Sequence, residues 1–210
     1  KQLLLIDGNS IVFRAFFAMH NQMDKFTNKD GLHTAAIYGF KLMLDHVLQN
    51  FKPDTALVAF DAGKVTFRTK MYDDYKGGRN KTPNELTEQI PYVRELIKDS
   101  GLHSYELANY EADDIIGTLA KQADDAGYKT LIVTGDRDLT QLASENTTVA
   151  VTHKGVTDTE HYTPAHVEEK LGITPRQIID MKALMGDSSD NYPGVTKIGE
   201  KTAIKLVKQF

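Results

Sequence analysis

Three short apolar runs in this chain each end in an aspartate. They are Leu3-Leu4-Leu5-Ile6 before Asp7, Thr55 to Phe60 before Asp61, and Thr130 to Thr134 before Gly135-Asp136. Each run is strand-length and too short for a buried helix. Helical patterns lie between them, so the chain reads as an α/β fold with a mostly parallel central sheet flanked by helices. In such sheets ligands bind outside the carboxyl ends of the strands. Asp7, Asp61 and Asp136 are therefore expected to open onto one crevice.

The other elements follow from periodicity and punctuation. Ser10 is expected to cap a helix that reaches Met19, and Asn21 to His33 reads as a loop. Thr34 to Phe51 is a long amphipathic helix. Glu85 to Ser100 reads as one helix perturbed by Pro91. His103 to Leu107 and Thr147 to Thr152 are expected strands. Two helices are expected from about Pro164 to Leu171 and from about Pro175 to Met185. An acidic turn, Gly186 to Pro193, leads to a last helix over Gly199 to Phe210.

Glu111, Asp113 and Asp114 fall within four residues. Ala112, Ile115, Ile116, Leu119, Ala120 and Ala123 then mark one buried face of a helix that stops near Gly127. The acids crowd its first turn. Glu111 and Asp114 share a face, and Asp113 points to a neighbouring sector. Like charges this close oppose each other's ionisation unless a cation neutralises them. Acids also favour helix N-termini through capping and the dipole, and at this point both readings stand.

Two more fragments are acidic: Asp136-Arg137-Asp138 and Asp187-Ser188-Ser189-Asp190. If all these carboxylates converge, the metal is constrained. The chain has no cysteine, and its seven histidines show no paired ligand spacing. Carboxylate oxygens alone select Mg²⁺ or Mn²⁺ over zinc. More carboxylates than one ion can use suggests two ions, about 4 Å apart, the arrangement that activates water and steadies the leaving oxygen of a phosphodiester.

The charge distribution points to a phosphate-rich partner. Net charge is −4 over 210 residues, yet Lys64 to Lys81 carries +4 and Gly194 to Phe210 carries +3, which leaves −11 elsewhere. An acidic body with two basic patches suits a metal site beside surfaces that grip phosphates. The first patch, KVTFRTKMYDDYKGGRNKTP, lacks an apolar face and reads as a lid or an unstructured loop. The second contains Gly194-Val195-Thr196-Lys197-Ile198-Gly199-Glu200-Lys201-Thr202. It misses a P-loop by one residue and follows no strand, so a glycine hairpin between two helices is the better reading. No apolar run reaches the roughly 18 residues of a membrane span. No signal peptide opens the chain, and the lack of cysteine fits a reducing cytoplasm.

The stretches LLLIDGNSIVFRAFFAM, VAFDAGKVTFR, YKGGRNKTP, YEADDIIGTLA, VTGDRDLTQL and MGDSSDNYPGVTKIGEKTA occur in the order seen in one family. Through them the chain resembles the 5′ nuclease (5′→3′ exonuclease, flap endonuclease) domain of bacterial DNA polymerase I. The resemblance implies metal-cluster carboxylates at Asp7, Asp61, Glu111, Asp113, Asp114, Asp136, Asp138, Asp187 and Asp190. It implies catalytic roles for Tyr75, Lys76 and Arg79 in a helical arch over 64–83, and for Arg68 near the scissile phosphate. DNA contacts are implied at Arg68, Lys76, Arg79 and Lys81. More are implied at Gly194, Val195, Lys197, Ile198, Gly199, Lys201 and Thr202, within a helix-hairpin-helix (helix-3-turn-helix) element that often holds a potassium ion on carbonyls of 194–199.

On this reading, residues 1–185 form a PIN-like α/β nuclease domain, and 186–210 begin a DNA-binding region cut short at Phe210. The implied partner is DNA with a 5′ flap or 5′ end. A polymerase domain is the implied covalent neighbour, and the bacterial cytoplasm, at the nucleoid, the implied location. Two other readings compete: a non-catalytic branched-DNA binding module, and a small-molecule phosphatase built on Asp136-Arg137-Asp138.

Overall fold

The computed structural model describes residues 1–19, 22, 25–155 and 157–210. Its main sheet holds β1 (Gln2–Asp7), β2 (Thr55–Ala59), β3 (His103–Tyr105), β4 (Lys129–Thr134), β5 (Thr147–Lys154) and β6 (Asp158–Tyr162). The order is β3-β2-β1-β4-β5-β6. All neighbours pair parallel except β5 with β6, an antiparallel edge strand that the sequence pattern did not announce. Asp158 to Tyr162 alternates polar and apolar residues too weakly, because only Tyr162 is buried. The helix that follows, α7 (Pro164–Leu171), lies where it was expected.

Register places the acids. Asp7 pairs with Ala59, and Ile6 with Val133, so β1, β2 and β4 end level with one another. Asp61 and Asp136 follow their strands within two residues. All three acids therefore stand at one edge of the sheet, as expected. Successive residues of β1 feed opposite cores. Leu4 and Ile6 pack with Phe16, Phe40 and Ile97 from α1 (Gly8–Ala18), α2 (Ala35–Phe51) and α5 (Ile90–Asp99). Leu5 packs on the other face with Ile116, Met181 and Val207 from α6 (Ala112–Asp125), α8 (Gln177–Met185) and α9 (Glu200–Gln209). Each such fully buried side chain contributes about 1.5–3 kcal/mol.

Three expectations are corrected. Asp7, not Ser10, caps α1: its Oδ1 accepts from the Ser10 amide at 3.0 Å. The single helix expected over 85–100 is split into α4 (Asn84–Thr87) and α5. Pro91 sits in the first turn of α5, where its missing N–H is harmless, whereas deeper in a helix it would break the ladder. The basic stretch is helical only in α3 (Phe67–Met71) and is built of turns over 73–78. The loop expected from Asn21 falls partly outside the described residues.

The acidic turn is a small hairpin of β7 (Gly186–Asp187) and β8 (Tyr192–Pro193). Its pivot is the approach of two backbones. A Cβ on Gly194 would lie 2.3 Å from the Gly186 nitrogen and 2.5 Å from the Leu184 carbonyl oxygen. Gly186 itself has φ +74°, the left-handed region that glycine tolerates. Gly194→Ala is thus expected to cost about 3 kcal/mol, or about 6–12 °C in Tm, because backbone cannot yield as a side chain does. At Gly199 an added Cβ would meet nothing within 4 Å. Gly199 is the N-cap of α9, where glycine is favoured over alanine, so Gly199→Ala should cost about 0.5–1 kcal/mol, well below Gly194→Ala. Equal thermal unfolding for the two variants would show that the turn carrying Asp187 and Asp190 is not built on this contact.

Candidate metal centre and nucleic-acid interface

The first turn of α6 sorts its acids by direction. Asp114 accepts from the Glu111 amide at 2.9 Å, which closes the helix start. Its two oxygens also take both terminal nitrogens of Arg68 at 2.7 Å each. Burial pushes the Asp114 carboxyl up, but Arg68 and the Glu111 amide outweigh it and hold it below the usual range. The Arg68 guanidinium is correspondingly held above its ordinary value, first by its bond to Asp114. Capping and pairing therefore account for Asp114.

Asp113 has the opposite surroundings. Among the described residues no donor or cation lies within bonding distance of it. Burial first, then the charges of Asp7 and Asp136, push its carboxyl well above the usual range, with Lys76 opposing. Asp7 is 4% exposed and is also pushed up by burial, although Ser10 and Thr134 donate to it. Asp61 is raised by burial as well; it accepts from the Ala112 amide at 2.7 Å and from Asn9 at 3.1 Å. Asp136 accepts from the Asp138 amide and opens a 3₁₀ helix (Arg137–Leu142). Asp7, Asp61, Asp113 and Asp136 form an inner group without a single ion pair among the described residues.

The other acids form an outer group, and each is paired. Glu111 receives Lys76 Nζ at 2.9 Å. Asp190 receives Arg79 at 2.6 Å. Lys182 lies 2.8 Å from Asp138 and 2.5 Å from Asp187. The Tyr75 hydroxyl stands 3.1 Å from Glu111 and 3.2 Å from Asp190, so its one proton serves two carboxylates. Burial, then those two acids, raise the Tyr75 phenol. Among the described residues no group of three or more acids is arranged to hold an ion as it stands.

The donor set nonetheless fits hard divalent cations. It is made of carboxylate oxygens, and four buried or half-buried acids without counter-ions are costly unless a cation joins them.

The basic stretch is docked by charge. Lys76 has φ +57° and its amide donates to the Asp190 carbonyl at 2.8 Å. Asn191 reaches back to the Asp74 carbonyl. At the other end Thr66 is buried, and the Phe67 amide bonds the Asn109 carbonyl. The structure thus brings Arg68, Tyr75, Lys76 and Arg79 onto the acids. Lys81 is exposed and makes none of these contacts.

No hydrogen bond or ion pair among the described residues joins the side chains of residues 194–202 to that cluster. Val195 is half exposed, Lys197, Gly199, Lys201 and Thr202 are exposed, and Ile198 packs into the core beneath. Gly194 has a packing reason of its own in the hairpin contact. Asn9, Thr134 and Lys182 were not singled out from sequence. Asn9 lies two residues after Asp7 in Asp-Gly-Asn-Ser, a usable signal; Lys182 and Thr134 carry none beyond their neighbours.

Comparison with known proteins agrees with this architecture. Residues 2–172 match the family model of the 5′-3′ exonuclease N-terminal resolvase-like domain, and 173–210 that of the 5′-3′ exonuclease C-terminal SAM fold. The chain is 61% identical over 207 residues to DNA polymerase I of Streptococcus pneumoniae, covering 99% of this chain and 24% of that protein. It is 59% identical over 210 residues to DNA polymerase I of Bacillus subtilis, covering 100% and 23%. It spans about a quarter of the length of these relatives. Bacteriophage T5 flap endonuclease, solved with DNA and metal ions, shares the fold with a TM-score of 0.79 at 24% identity, over 100% of this chain and 75% of that one. The chain belongs to the 5′-3′ exonuclease family.

Proposed function

We propose that this chain is a divalent-metal-dependent, structure-specific 5′ nuclease acting on DNA at 5′ flaps and 5′ ends. The observation that carries the reading is a recessed, unpaired acidic group ringed by cations at the carboxyl edge of the sheet. Asp7, Asp61, Asp113 and Asp136 would hold one Mg²⁺ or Mn²⁺ ion, and Asp138, Asp187 and Asp190 would serve a second, with Glu111 between. When bound, such ions activate a water and steady the leaving oxygen of a phosphodiester.

The chain's own residues supply the rest. Lys76 and Arg79 present positive charge above the acids, where negative charge develops on the transferring phosphate. Tyr75 holds its proton between Glu111 and Asp190. Arg68 is locked on Asp114 and fixes the arch to α6 while facing the same rim. Lys81 extends the basic path away from the acids. Exposed Lys197 sits on the turn between α8 and α9, and exposed Lys201 in the first turn of α9; we assign both to a helix-hairpin-helix region over 186–210 that grips duplex backbone. A potassium ion on carbonyls of 194–199 belongs to the same assignment. Sequence preference should be low, because these contacts read phosphates. Primer removal and repair, beside a polymerase in the same polypeptide and in the bacterial cytoplasm, are the setting this implies.

The direct test is a 5′-labelled flap substrate incubated with and without Mg²⁺. Cleavage near the single-strand/duplex junction only with metal is expected; hydrolysis of a generic phosphate monoester without DNA cleavage would overturn the reading.

Asp113→Asn is expected to abolish cleavage while flap binding stays within a few-fold. In chelator the same variant should be more stable than wild type by about 1–2 kcal/mol, about 3–6 °C, because a buried repulsive charge is gone. Mg²⁺ should then raise its Tm less than it raises that of the wild type. A variant that cuts normally would reduce Asp113 to a helix-start acid.

Lys76 and Lys201 should separate chemistry from grip. Lys76→Ala is expected to lower the single-turnover rate by roughly 10²-fold, with little change in binding. Lys201→Ala should weaken binding and reduce the salt slope by about one unit, with a normal rate at saturating DNA. Binding measured with Ca²⁺ in place of Mg²⁺, at several salt concentrations, decides; a purely affinity-based defect in Lys76→Ala would remove it from the chemistry.

A further inference from the structure

The counter-charges are divided unevenly between the two groups of acids. No lysine or arginine pairs with Asp7, Asp61, Asp113 or Asp136 among the described residues. Asp138 and Asp187 share one ammonium, Lys182 Nζ, at 2.8 and 2.5 Å. Those distances approach the roughly 2.0–2.6 Å at which Mg²⁺ or Ca²⁺ meets carboxylate oxygens. Asp187 gives Lys182 one oxygen; the other accepts from the Ser189 amide and hydroxyl at 2.7 and 2.6 Å. The ammonium thus stands where a cation bridging Asp138 and Asp187 would stand. Lys182 projects from the last turn of α8 on a flexible four-carbon stem and is partly exposed, so it can swing clear.

We propose that Lys182 is a resident counter-ion of Asp138 and Asp187, and that a divalent ion enters between them only by displacing it. The inference rests on the two-ion reading above. It makes the two ions unequal: the inner acids await a cation, and the outer acids already have one.

The test counts Mn²⁺ ions bound to the DNA-free protein, by calorimetry and by loss of the free-Mn²⁺ paramagnetic signal. Wild type is expected to show a tight and a weak site. Lys182→Met should strengthen the weak site by roughly ten-fold or more, the scale of removing one adjacent competing charge, and leave the tight site within about three-fold. Lys182→Arg, which keeps the charge, should leave the weak site near wild type. Lys121→Met, remote on α6 and paired with Asp125, should change neither. An unchanged or weakened outer site in Lys182→Met overturns the inference, since a lysine that merely pins the turn would lose the site on removal. A measurement on wild type avoids any folding defect: the ¹⁵N resonance of the Lys182 ammonium should shift with the weak step. Movement with the tight step, or none, counts against displacement. Failure of wild type to bind Mn²⁺ at all would sink the metal reading itself, whereas two ions indifferent to Lys182 would sink only this inference.

Discussion

The mutual repulsion of recessed carboxylates is the constraint around which the rest of this molecule is arranged. Parallel register in β1, β2 and β4 delivers three acids to one edge, and the start of α6 adds more. Burial first, and then neighbouring like charges, oppose ionisation at Asp7 and Asp113. Hydrogen bonds ease the strain at Asp7 and Asp61, where Ser10, Thr134, Ala112 and Asn9 donate. At Asp113 no hydrogen bond among the described residues does so, and only the more distant charge of Lys76 opposes it. A cation joining this group would offset that cost.

The same constraint explains how a segment with no buried apolar residue is held. Between Lys64 and Lys81 only Thr66 is buried. Arg68, Lys76 and Arg79 instead anchor on Asp114, Glu111 and Asp190. Partly exposed ion pairs are individually weak and salt-sensitive. A segment fastened this way can let go and bind elsewhere at small cost, which a segment fastened by a buried phenylalanine cannot. On the proposed function, substrate phosphates would compete with the site carboxylates for the same cations.

Much of this was legible in the sequence, and the reasons are specific. Strand-length runs ending in Asp7, Asp61 and Asp136 located the crevice, because strand ends and register follow from hydrophobic pattern. The acidic helix start and the two basic patches were visible as charge. Three features were not. β6 lacks a clean two-residue alternation, since it covers an edge and buries one tyrosine. The division of 85–100 turned on whether Pro91 lay inside a helix or in its first turn, and periodicity does not tell those apart. Lys182 carries no motif; its meaning comes from the β7–β8 turn, whose path depends on the Gly186–Gly194 approach.

Asp113 and Asp114 show most sharply why neighbouring acids cannot be read as a block. They are adjacent in sequence and therefore about 100° apart around the helix. Asp114 turns back to the helix start and to Arg68, where both a backbone donor and a paired cation are available. Asp113 turns into the crevice, where it meets Asp7, Asp61 and Asp136. One satisfies the bland expectation for an acid at a helix N-terminus. The other contradicts it, because a cap would have been given a donor. Helix geometry thus gives the two neighbours opposite surroundings, one residue apart. By the same logic the cations sort into those that fasten the arch, those that cover the outer acids, and none for the inner ones. The inner group is therefore where a metal ion has the most to neutralise.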